Sequence, residues 1–392
     1  MVYQLELNKK IREYITHSNK VFMNNKRIPV ATPVLNGNEK KYVIDCLDTT
    51  WISSNGKYIS EFENKFAKFV GAKNAIAVTN GTVALHLACL GTNIVQDDEV
   101  IMPTFSYIAT ANSVAYCGAK PVFVDSEKDT WNIKVSLIES KITPKTKAIM
   151  PVHIYGHPAD MSPLIKIAKK HNLHVIEDAA EALGAYYEGK HVGPLGDVGI
   201  FSFFGNKNIT TGEGGMVVTN NDEIAMRIRL LKGQGMDPNR RYWHPTIGYN
   251  YRMTNIAAAI GLAQLEKVEW HLKRRRNVSR LYDKYLSKLT NHVQLPIEKT
   301  YAHSCYWMYS IVLKDSVKKE RDQVRDQLDN EFNIETRPFF YPMHIMPPYY
   351  ERERSYPTAE HIASRGINLP THELLSEEDI KYIANSLESS LI

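Results

Sequence analysis

Short apolar runs alternate with amphipathic runs of helical length between residues 74 and 233. Runs typical of strands lie at 75–79, 99–103, 121–125, 147–154, 173–178, 199–204 and 215–220. Runs typical of helices lie between them at 82–91, 106–118, 163–171 and 222–233. Near-continuous apolar strands that alternate with helices indicate a mostly parallel sheet covered on both faces. The pattern therefore predicts an α/β fold that binds its ligand at the carboxyl ends of the strands.

The pattern changes after residue 255. A long helical stretch over 255–290 is followed by a strand, YSIVL at 309–313, and a helix, RDQVRDQLDNEF at 321–332. We therefore predict an N-terminal extension over 1–27, a large domain over 28–255, and a linking helix with a smaller α+β C-terminal domain over 256–392.

Composition excludes several classes of protein. Of 392 residues, 43% are hydrophobic and 10% aromatic, which is too apolar for a disordered chain. No apolar run approaches the roughly 18 residues of a membrane span, and the first residues lack the apolar core of a secretory signal. We therefore expect a cytoplasmic protein that has no membrane partner.

Charge and potential metal ligands narrow the classes further. The net charge of +5 is mild, and the densest basic cluster, Lys273–Arg276, lies inside a predicted helix, so we expect no nucleic-acid partner. The four cysteines form no CxxC pair. His153 and His157 have helical spacing, but Gly156 and Pro158 break the helix that a metal pair would need. We expect no metal site.

A potential phosphate site follows the first strand of the alternating region. Asn80-Gly81-Thr82 joins that strand to a helix. Glycine permits close backbone approach, threonine adds a hydroxyl, and the first turn of the helix offers unpaired N–H groups to an anion. Such turns are common, so this motif alone does not identify a ligand.

Three other residues stand at strand ends. Asp178 ends an apolar strand, Phe105 follows another, and Lys207 comes just after the strand that contains Phe201. Each is ordinary by itself. Pyridoxal phosphate, however, needs a phosphate cradle, a carboxylate for its ring nitrogen, an aromatic wall and a lysine that forms a Schiff base. Together, the four features predict a site for this cofactor.

Five segments are similar to those of one family. NGTVALHLAC, PTFSYIATANSV, VIEDAAEALGA, FSFFGNKNITTGEGGMVVTN and GYNYRMTNIAAAIGLAQLE resemble segments of the DegT/DnrJ/EryC1/StrS sugar aminotransferases. The resemblance covers roughly residues 28–375, and the 200–220 segment is highly specific. It implies a fold-type I, aspartate aminotransferase-like enzyme that depends on pyridoxal 5′-phosphate and passes through pyridoxamine phosphate.

The resemblance also implies roles for single residues. Lys207 would bind the cofactor and act as the catalytic residue, while Asp178 would pair with the pyridine nitrogen. Glu181 would lie near the ring hydroxyl, and Phe105 would stack on the ring. Some family members have histidine in place of this lysine and catalyse dehydration, so Lys207 favours transamination.

The same resemblance assigns the phosphate contacts. Gly81, Thr82 and Ser202 would bind the phosphate within one subunit. Asn250 would reach the phosphate of the neighbouring subunit's cofactor, which implies a homodimer with shared active sites.

Three segments resemble the members that aminate C4 of GDP-4-keto-6-deoxymannose with L-glutamate as donor. They are GNEKKYVIDCLDTTWISSNGKYISEFE, RYWHPTIGYNYRMTN and ETRPFFYPMHIMPPY. A UDP- or dTDP-linked 4-ketosugar, giving a viosamine-type product, remains an alternative, as does amination at C3. Arg337, His344 and the cluster Arg274–Arg276 are candidate partners for the substrate's pyrophosphate.

Two other classes remain open from the sequence. A non-catalytic relative with the same fold would be expected to lack Lys207, which is present. A desulfurase would need a reactive cysteine in a mobile loop, and Cys305 in AHSCYWMY lacks a glycine-rich loop around it.

Overall fold

The computed structural model of this chain describes residues 27–391. The predicted extension over 1–27 lies outside the described residues apart from Arg27. The helices are α1 (Glu39–Asp48), α2 (Lys57–Val70), α3 (Gly81–Gly91), α4 (Ala109–Ala115), α5 (Met161–Lys170), α6 (Asp222–Lys232), α7 (Asn255–Leu265), α8 (Val268–Leu286), α9 (Arg321–Phe332), α10 (Pro357–Arg365) and α11 (Glu377–Leu391). The strands are β1 (Asn74–Val78), β2 (Glu99–Pro103), β3 (Lys120–Val124), β4 (Thr146–Ile149), β5 (His174–Asp178), β6 (Tyr186–Tyr187), β7 (Lys190–His191), β8 (Val198–Ser202), β9 (Gly215–Thr219), β10 (Val293–Gln294), β11 (Ala302–His303), β12 (Tyr309–Leu313), β13 (Arg337–Pro338) and β14 (Gly366–Leu369).

A seven-stranded sheet forms the centre of the larger part of the molecule. Its strand order is β1-β9-β8-β5-β4-β2-β3. Neighbours pair in parallel except at β9, which runs antiparallel to both β1 and β8. The predicted α/β fold with a mostly parallel sheet is confirmed. Because the other strands share one direction, the carboxyl ends of β1, β2, β5 and β8 meet at a single edge.

Aromatic packing fixes the end of β8. Phe62 and Phe66 on α2 lie against Phe201 and Phe203, with ring centroids 5.2–5.5 Å apart across the interface. All four side chains are fully buried, and burial of each ring stabilises the fold by about 1.5–3 kcal/mol. The packing against α2 therefore holds the segment that leads to Lys207 in place.

The helical stretch predicted over 255–290 is two helices. α7 ends at Leu265 and α8 begins at Val268. α7 packs on α1 and α2, where Gly261 permits close approach, since a Cβ there would lie 2.7 Å from Phe62. α8 packs on α11, and its Tyr282 contacts Tyr309 of β12. The predicted domain boundary at residue 255 stays a prediction.

A smaller antiparallel sheet forms the C-terminal part, in the order β10-β12-β14-β13. A second apolar cluster lies around it, with the rings of Tyr282 and Tyr309 stacked 4.6 Å apart. The strand predicted at 309–313 and the helix predicted at 321–332 are both confirmed. Within residues 27–391, no helix has the length and apolar character needed to cross a membrane.

The close approach of β8 to a neighbouring loop gives a stability prediction. A Cβ on Gly199 would lie 2.2 Å from the carbonyl oxygen of Gly193. We expect Gly199→Ala to lower the free energy of unfolding by about 2–3 kcal/mol, because backbone must shift to accept the methyl group. Gly233→Ala is the control, since its nearest neighbour would be 3.5 Å away. Denaturant unfolding of the cofactor-free protein measures both, and equal stability of the two variants would contradict the prediction.

Candidate active site

A cavity of about 710 Å³ opens at the carboxyl edge of the large sheet. Its lining includes most of the residues predicted from the sequence, namely Gly81, Thr82, Asp178, Glu181, Ser202, Lys207 and Arg337. They come from the ends of three strands of the large sheet, β1, β5 and β8, and from the C-terminal sheet. The fold therefore brings together groups that lie up to 256 residues apart in the chain.

One wall of the cavity is the first turn of α3. The side chain of Asn80 accepts a hydrogen bond of 3.0 Å from the N–H of Val83 and so begins the helix. Gly81 faces Ser202, and a Cβ on Gly81 would lie 2.9 Å from the Ser202 Cβ. The helix end is positive and its first N–H groups have no partner within the helix. This wall fits a phosphate group.

Asp178 supplies a buried carboxylate at the end of β5. Its Oδ2 accepts a hydrogen bond of 2.8 Å from the Thr110 hydroxyl, and its Oδ1 accepts one of 3.2 Å from the N–H of Ala180. Burial raises the pKa of Asp178 above its ordinary value, although both hydrogen bonds and the Lys207 charge oppose the shift. A buried carboxylate favours a cationic partner, as a protonated ring nitrogen would be.

Lys207 lies deep in the cavity beside Glu181. Its Nζ is 3.9 Å from the Glu181 Oε1, and its side chain is only 13% exposed. Burial lowers the pKa of Lys207, while the charges of Glu181 and Asp178 oppose that shift. Burial raises the pKa of Glu181 to about 7. An amine whose charged form is disfavoured can act as a nucleophile or a base.

The aromatic wall differs from the prediction. Phe105 is fully buried and packs on Phe339 with ring centroids 5.6 Å apart, so it does not line the cavity. Tyr107 does line the cavity and is 58% exposed. The role of Phe105 as the stacking ring stays a prediction, and the structure places Tyr107, two residues later, on the cavity wall instead.

Two predicted anion contacts also have other roles. His344 is buried outside the cavity, with its Nδ1 2.8 Å from the Thr104 hydroxyl and its Nε2 3.1 Å from Glu360. The Arg274–Arg276 cluster likewise lies outside the cavity. Arg274 donates to the carbonyl oxygens of Glu373 and Leu375. These basic groups therefore bind other parts of the same chain and do not line the cavity.

The rest of that cluster is equally engaged. Arg275 is buried and bonded to Glu373, and Arg276 forms a two-pronged ion pair with Glu298. Of the predicted substrate contacts, Arg337 is the one whose side chain lines the cavity.

Asn250 is exposed and does not line the cavity of its own chain, although the next residue, Tyr251, does. Its Oδ1 accepts hydrogen bonds of 3.3 and 3.2 Å from the guanidinium of Arg252. The nearby chain exposes large apolar side chains, including Tyr242, Trp243 and Ile247. This surface is of the kind that a partner chain covers.

Sequence reasoning missed two residues at the site. Thr110 orients the Asp178 carboxylate, and Trp307 presents its ring to Lys207, with Nζ 3.7 Å from the ring centroid. Thr110 lies on α4 and Trp307 comes a hundred residues after the lysine. Thr110 lies within the segment PTFSYIATANSV, but the resemblance assigned it no role, and Trp307 lies outside the five segments that carry the resemblance.

The site residues fit pyridoxal phosphate. Gly81 leaves a cradle that a Cβ would fill, Asp178 is a buried carboxylate that favours a cation, and Lys207 is a buried amine in the same cavity. Within residues 27–391, no group of three or more histidine, cysteine or acidic side chains has a metal-binding arrangement.

Comparisons with known proteins agree with this geometry. Residues 33–388 match the family described as the DegT/DnrJ/EryC1/StrS aminotransferase family. A GDP-perosamine synthase of Caulobacter vibrioides is 54% identical over 367 residues, covering 93% of this chain and 99% of that protein. One from Escherichia coli O157:H7 is 53% identical over 362 residues, covering 92% and 98%. The structure of a putative sugar aminotransferase from Streptococcus pneumoniae, in its PLP form, is 26% identical with a TM-score of 0.88, covering 93% of this chain and 99% of that one.

Burial of Glu181 gives a pH-dependent stability prediction. The pKa of this carboxyl in the folded protein is about 7, above its ordinary value of 4.5. Its protonated form therefore contributes stability below about pH 4.5, and that contribution is lost as the pH rises through 7. Glu181→Gln stays neutral, so its advantage in unfolding free energy over the unsubstituted cofactor-free protein should grow by about 2–3 kcal/mol between pH 5 and pH 8.

Thermal unfolding across that pH range measures the effect. Glu353→Gln, which changes an exposed glutamate, is the matched control and should show no such trend. A constant difference between Glu181→Gln and the unsubstituted protein at every pH would contradict the prediction.

Proposed function

Because the chain belongs to the DegT/DnrJ/EryC1/StrS aminotransferase family, we propose that it moves the amino group of L-glutamate to C4 of a GDP-linked 4-keto-6-deoxyhexose. The family and the relatives make it a sugar aminotransferase that depends on pyridoxal phosphate. The GDP-sugar is inferred from two GDP-perosamine synthases that are 54% and 53% identical over almost the whole chain. The product would be a 4-amino sugar used in glycan biosynthesis.

The observation that carries this proposal is the shared cavity. Lys207, Asp178 and the first turn of α3 line one space of about 710 Å³. An amine, a buried carboxylate and a phosphate cradle in one space are the set that a pyridoxal phosphate enzyme needs.

Residues of this chain can hold each part of the cofactor. Gly81, Thr82 and Ser202 would bind the phosphate, and Asp178 would pair with the ring nitrogen. When bound, the cofactor supplies an electron sink for the carbanion formed at the donor's α-carbon. Asp178 contributes by keeping a positive charge on the ring nitrogen, through a charge-assisted hydrogen bond of about 1.5–3 kcal/mol.

Two other side chains shape the space around the ring. Tyr107 offers an exposed aromatic face at the mouth of the cavity, and Glu181 lies beside the lysine. We assign Tyr107 the stacking role first predicted for Phe105, and Glu181 a place near the ring hydroxyl.

Lys207 moves the proton in both half-reactions. Its Nζ accepts the proton lost from the α-carbon of glutamate, and it later delivers a proton to C4 of the sugar. Burial favours the neutral amine that the first transfer requires. The adjacent Glu181 carboxylate, 3.9 Å away, stabilises the charged amine that the second transfer requires.

The substrate's negative charge needs a cation in the cavity. Among the cavity-lining residues that the structure describes, Arg337 is the one guanidinium. We assign it to the anionic substrates, whose pyrophosphate or carboxylate it can bind with two parallel hydrogen bonds.

The protein is proposed to act as a homodimer with shared sites. The exposed Asn250 and the apolar side chains around it support this arrangement, because the surface suits a second copy. In that dimer, Asn250 would bind the phosphate of the cofactor in the neighbouring subunit.

A half-reaction tests the substrate assignment. L-Glutamate should convert the bound cofactor to its amine form, and GDP-4-keto-6-deoxymannose should restore the original absorbance faster than the UDP- or dTDP-linked 4-ketosugars. Lys207→Ala should show no turnover, because the proton carrier is lost. Faster recovery with a UDP- or dTDP-sugar, or only with a 3-ketosugar, would overturn the substrate, and no change with glutamate would overturn the reaction.

Mixed dimers test the shared site. Lys207→Ala and Asn250→Ala homodimers should each have little activity. If Asn250 acts on the neighbouring subunit's site, a mixed dimer of the two variants contains one site with both residues intact. Mixing the variants under conditions that exchange subunits should therefore restore activity. If no activity returns although mass spectrometry detects mixed dimers, Asn250 does not act across the interface.

A further inference from the structure

Trp307 contacts the lysine turn in two ways. The Lys207 Nζ lies 3.7 Å from the centre of the Trp307 ring. The indole N–H of the same residue donates a hydrogen bond of 2.8 Å to the carbonyl oxygen of Asn206, the residue just before the lysine. One side chain therefore contacts both the backbone and the amine of this turn.

A buried ion pair contacts the backbone of Trp307. Arg275 on α8 donates a hydrogen bond of 2.9 Å to the Trp307 carbonyl oxygen and one of 3.1 Å to that of Thr371. Its Nε lies 3.0 Å from the Glu373 carboxylate, which also lies 3.1 Å from His271. Both charged side chains are 3% exposed or less. Three directional contacts from one rigid guanidinium fix its position and that of the carbonyl groups it binds.

The Arg275–Glu373 pair is charged at neutral pH. Burial alone would raise the pKa of Glu373, but the Arg275 charge and the hydrogen bond from His271 lower it to about 2. The Arg275–Glu373 pair therefore serves to hold a geometry.

We propose that Trp307 is a positioning residue that holds the free Lys207 amine in the cavity, and that the Arg275–Glu373 pair fixes Trp307. This inference rests on the proposed function of Lys207. The lysine must be released from the cofactor and then wait in the right place to move a proton twice. A long, flexible side chain does so only if a contact holds its end. The indole face supplies that contact without a covalent bond to the amine, and it adds no hydrogen-bond acceptor that would compete for the amine's proton.

The contact also favours the charged amine. The face of an indole ring attracts a cation. The other titratable or charged groups that act on Lys207 are Glu181, Asp178, Cys305 and Arg337. The two carboxylates favour the charged form, and burial and Arg337 oppose it. Removing the ring shifts this balance towards the neutral amine.

Acetylation of the cofactor-free protein tests the inference directly. Acetic anhydride modifies neutral amines, so the extent of Lys207 acetylation against pH, read by mass spectrometry, gives the pKa of the amine. We expect Trp307→Leu to lower that midpoint by about one pH unit. Trp307→Phe retains an aromatic face and should lower it by less than half as much. An unchanged midpoint in Trp307→Leu would overturn the inference, and if that variant does not fold, an unchanged midpoint and an unchanged kcat in Trp307→Phe would do so.

Steady-state kinetics of the loaded enzyme give a second measurement. A misplaced amine should lower kcat by about 10- to 100-fold in Trp307→Leu, with KM for both substrates within about twofold. Trp131→Phe is the matched control, since it also replaces a buried indole but lies away from the lysine. It should alter thermal stability without moving the acetylation midpoint. An equal midpoint shift in Trp131→Phe would show that any lost indole has this effect and would overturn the inference.

Arg275→Lys tests the second half of the proposal. Lysine keeps the charge but cannot reach Trp307, Thr371 and Glu373 together. We expect the midpoint and kcat to change in the same direction as in Trp307→Leu, but by less. No change in either would overturn the role of the ion pair.

The glutamate half-reaction of the unsubstituted enzyme distinguishes failure of the proposed function from failure of this inference. If the half-reaction fails, the proposed function is wrong. If it succeeds and the variants behave as the unsubstituted enzyme does, only this inference is wrong.

Discussion

Burial of one amine with two carboxylates at the edge of a sheet is the constraint on which this site depends. Taken singly, each charge would be costly in a dry cavity, and burial accordingly lowers the pKa of Lys207 and raises those of Asp178 and Glu181. Together they offset one another, because Coulomb attraction is stronger where water is excluded. Burial therefore favours the neutral lysine amine, while the two carboxylates favour its charged form. The proposed role of Lys207, which accepts a proton and later returns it, uses both forms.

The reversal of one strand explains how the lysine reaches this position. A parallel neighbour of β8 would require a crossover that carries the chain away to the opposite edge. β9 is antiparallel instead, so the connection over residues 203–214 stays at the carboxyl edge. Lys207 lies on that connection. Gly215 then begins β9 directly against the turn before α3, where a Cβ would lie 2.5 Å from the Asn80 carbonyl oxygen. The lysine turn and the phosphate cradle are thereby placed side by side by the same strand.

The parts of this site that could be predicted from sequence are those that local pattern determines. Asp178 and Lys207 follow apolar strands, and the direction of a parallel sheet brings such positions to one edge. The choice between Phe105 and Tyr107 depended on the backbone turn after β2, which the apolar pattern does not describe. The Arg274–Arg276 cluster was predicted to bind an anion because its partners within the fold lie 22 to 101 residues further along the chain, where the sequence pattern does not reveal them. Trp307 was missed for the same reason, since only the folded chain brings it to the lysine.

The packing of the C-terminal part against the larger part of the molecule decides the shape of the cavity. Arg337 and Asn368 come from the C-terminal sheet and line the same cavity as Lys207. Arg275 lies on α8 between Leu272 of the first apolar cluster and Val278 of the second. A buried ion pair adds little net free energy, because the cost of desolvation offsets the attraction. Its hydrogen bonds are directional, however, and apolar packing alone would allow small shifts of one cluster on the other. A polar network at this junction thus determines where Trp307 and the C-terminal sheet stand relative to the lysine.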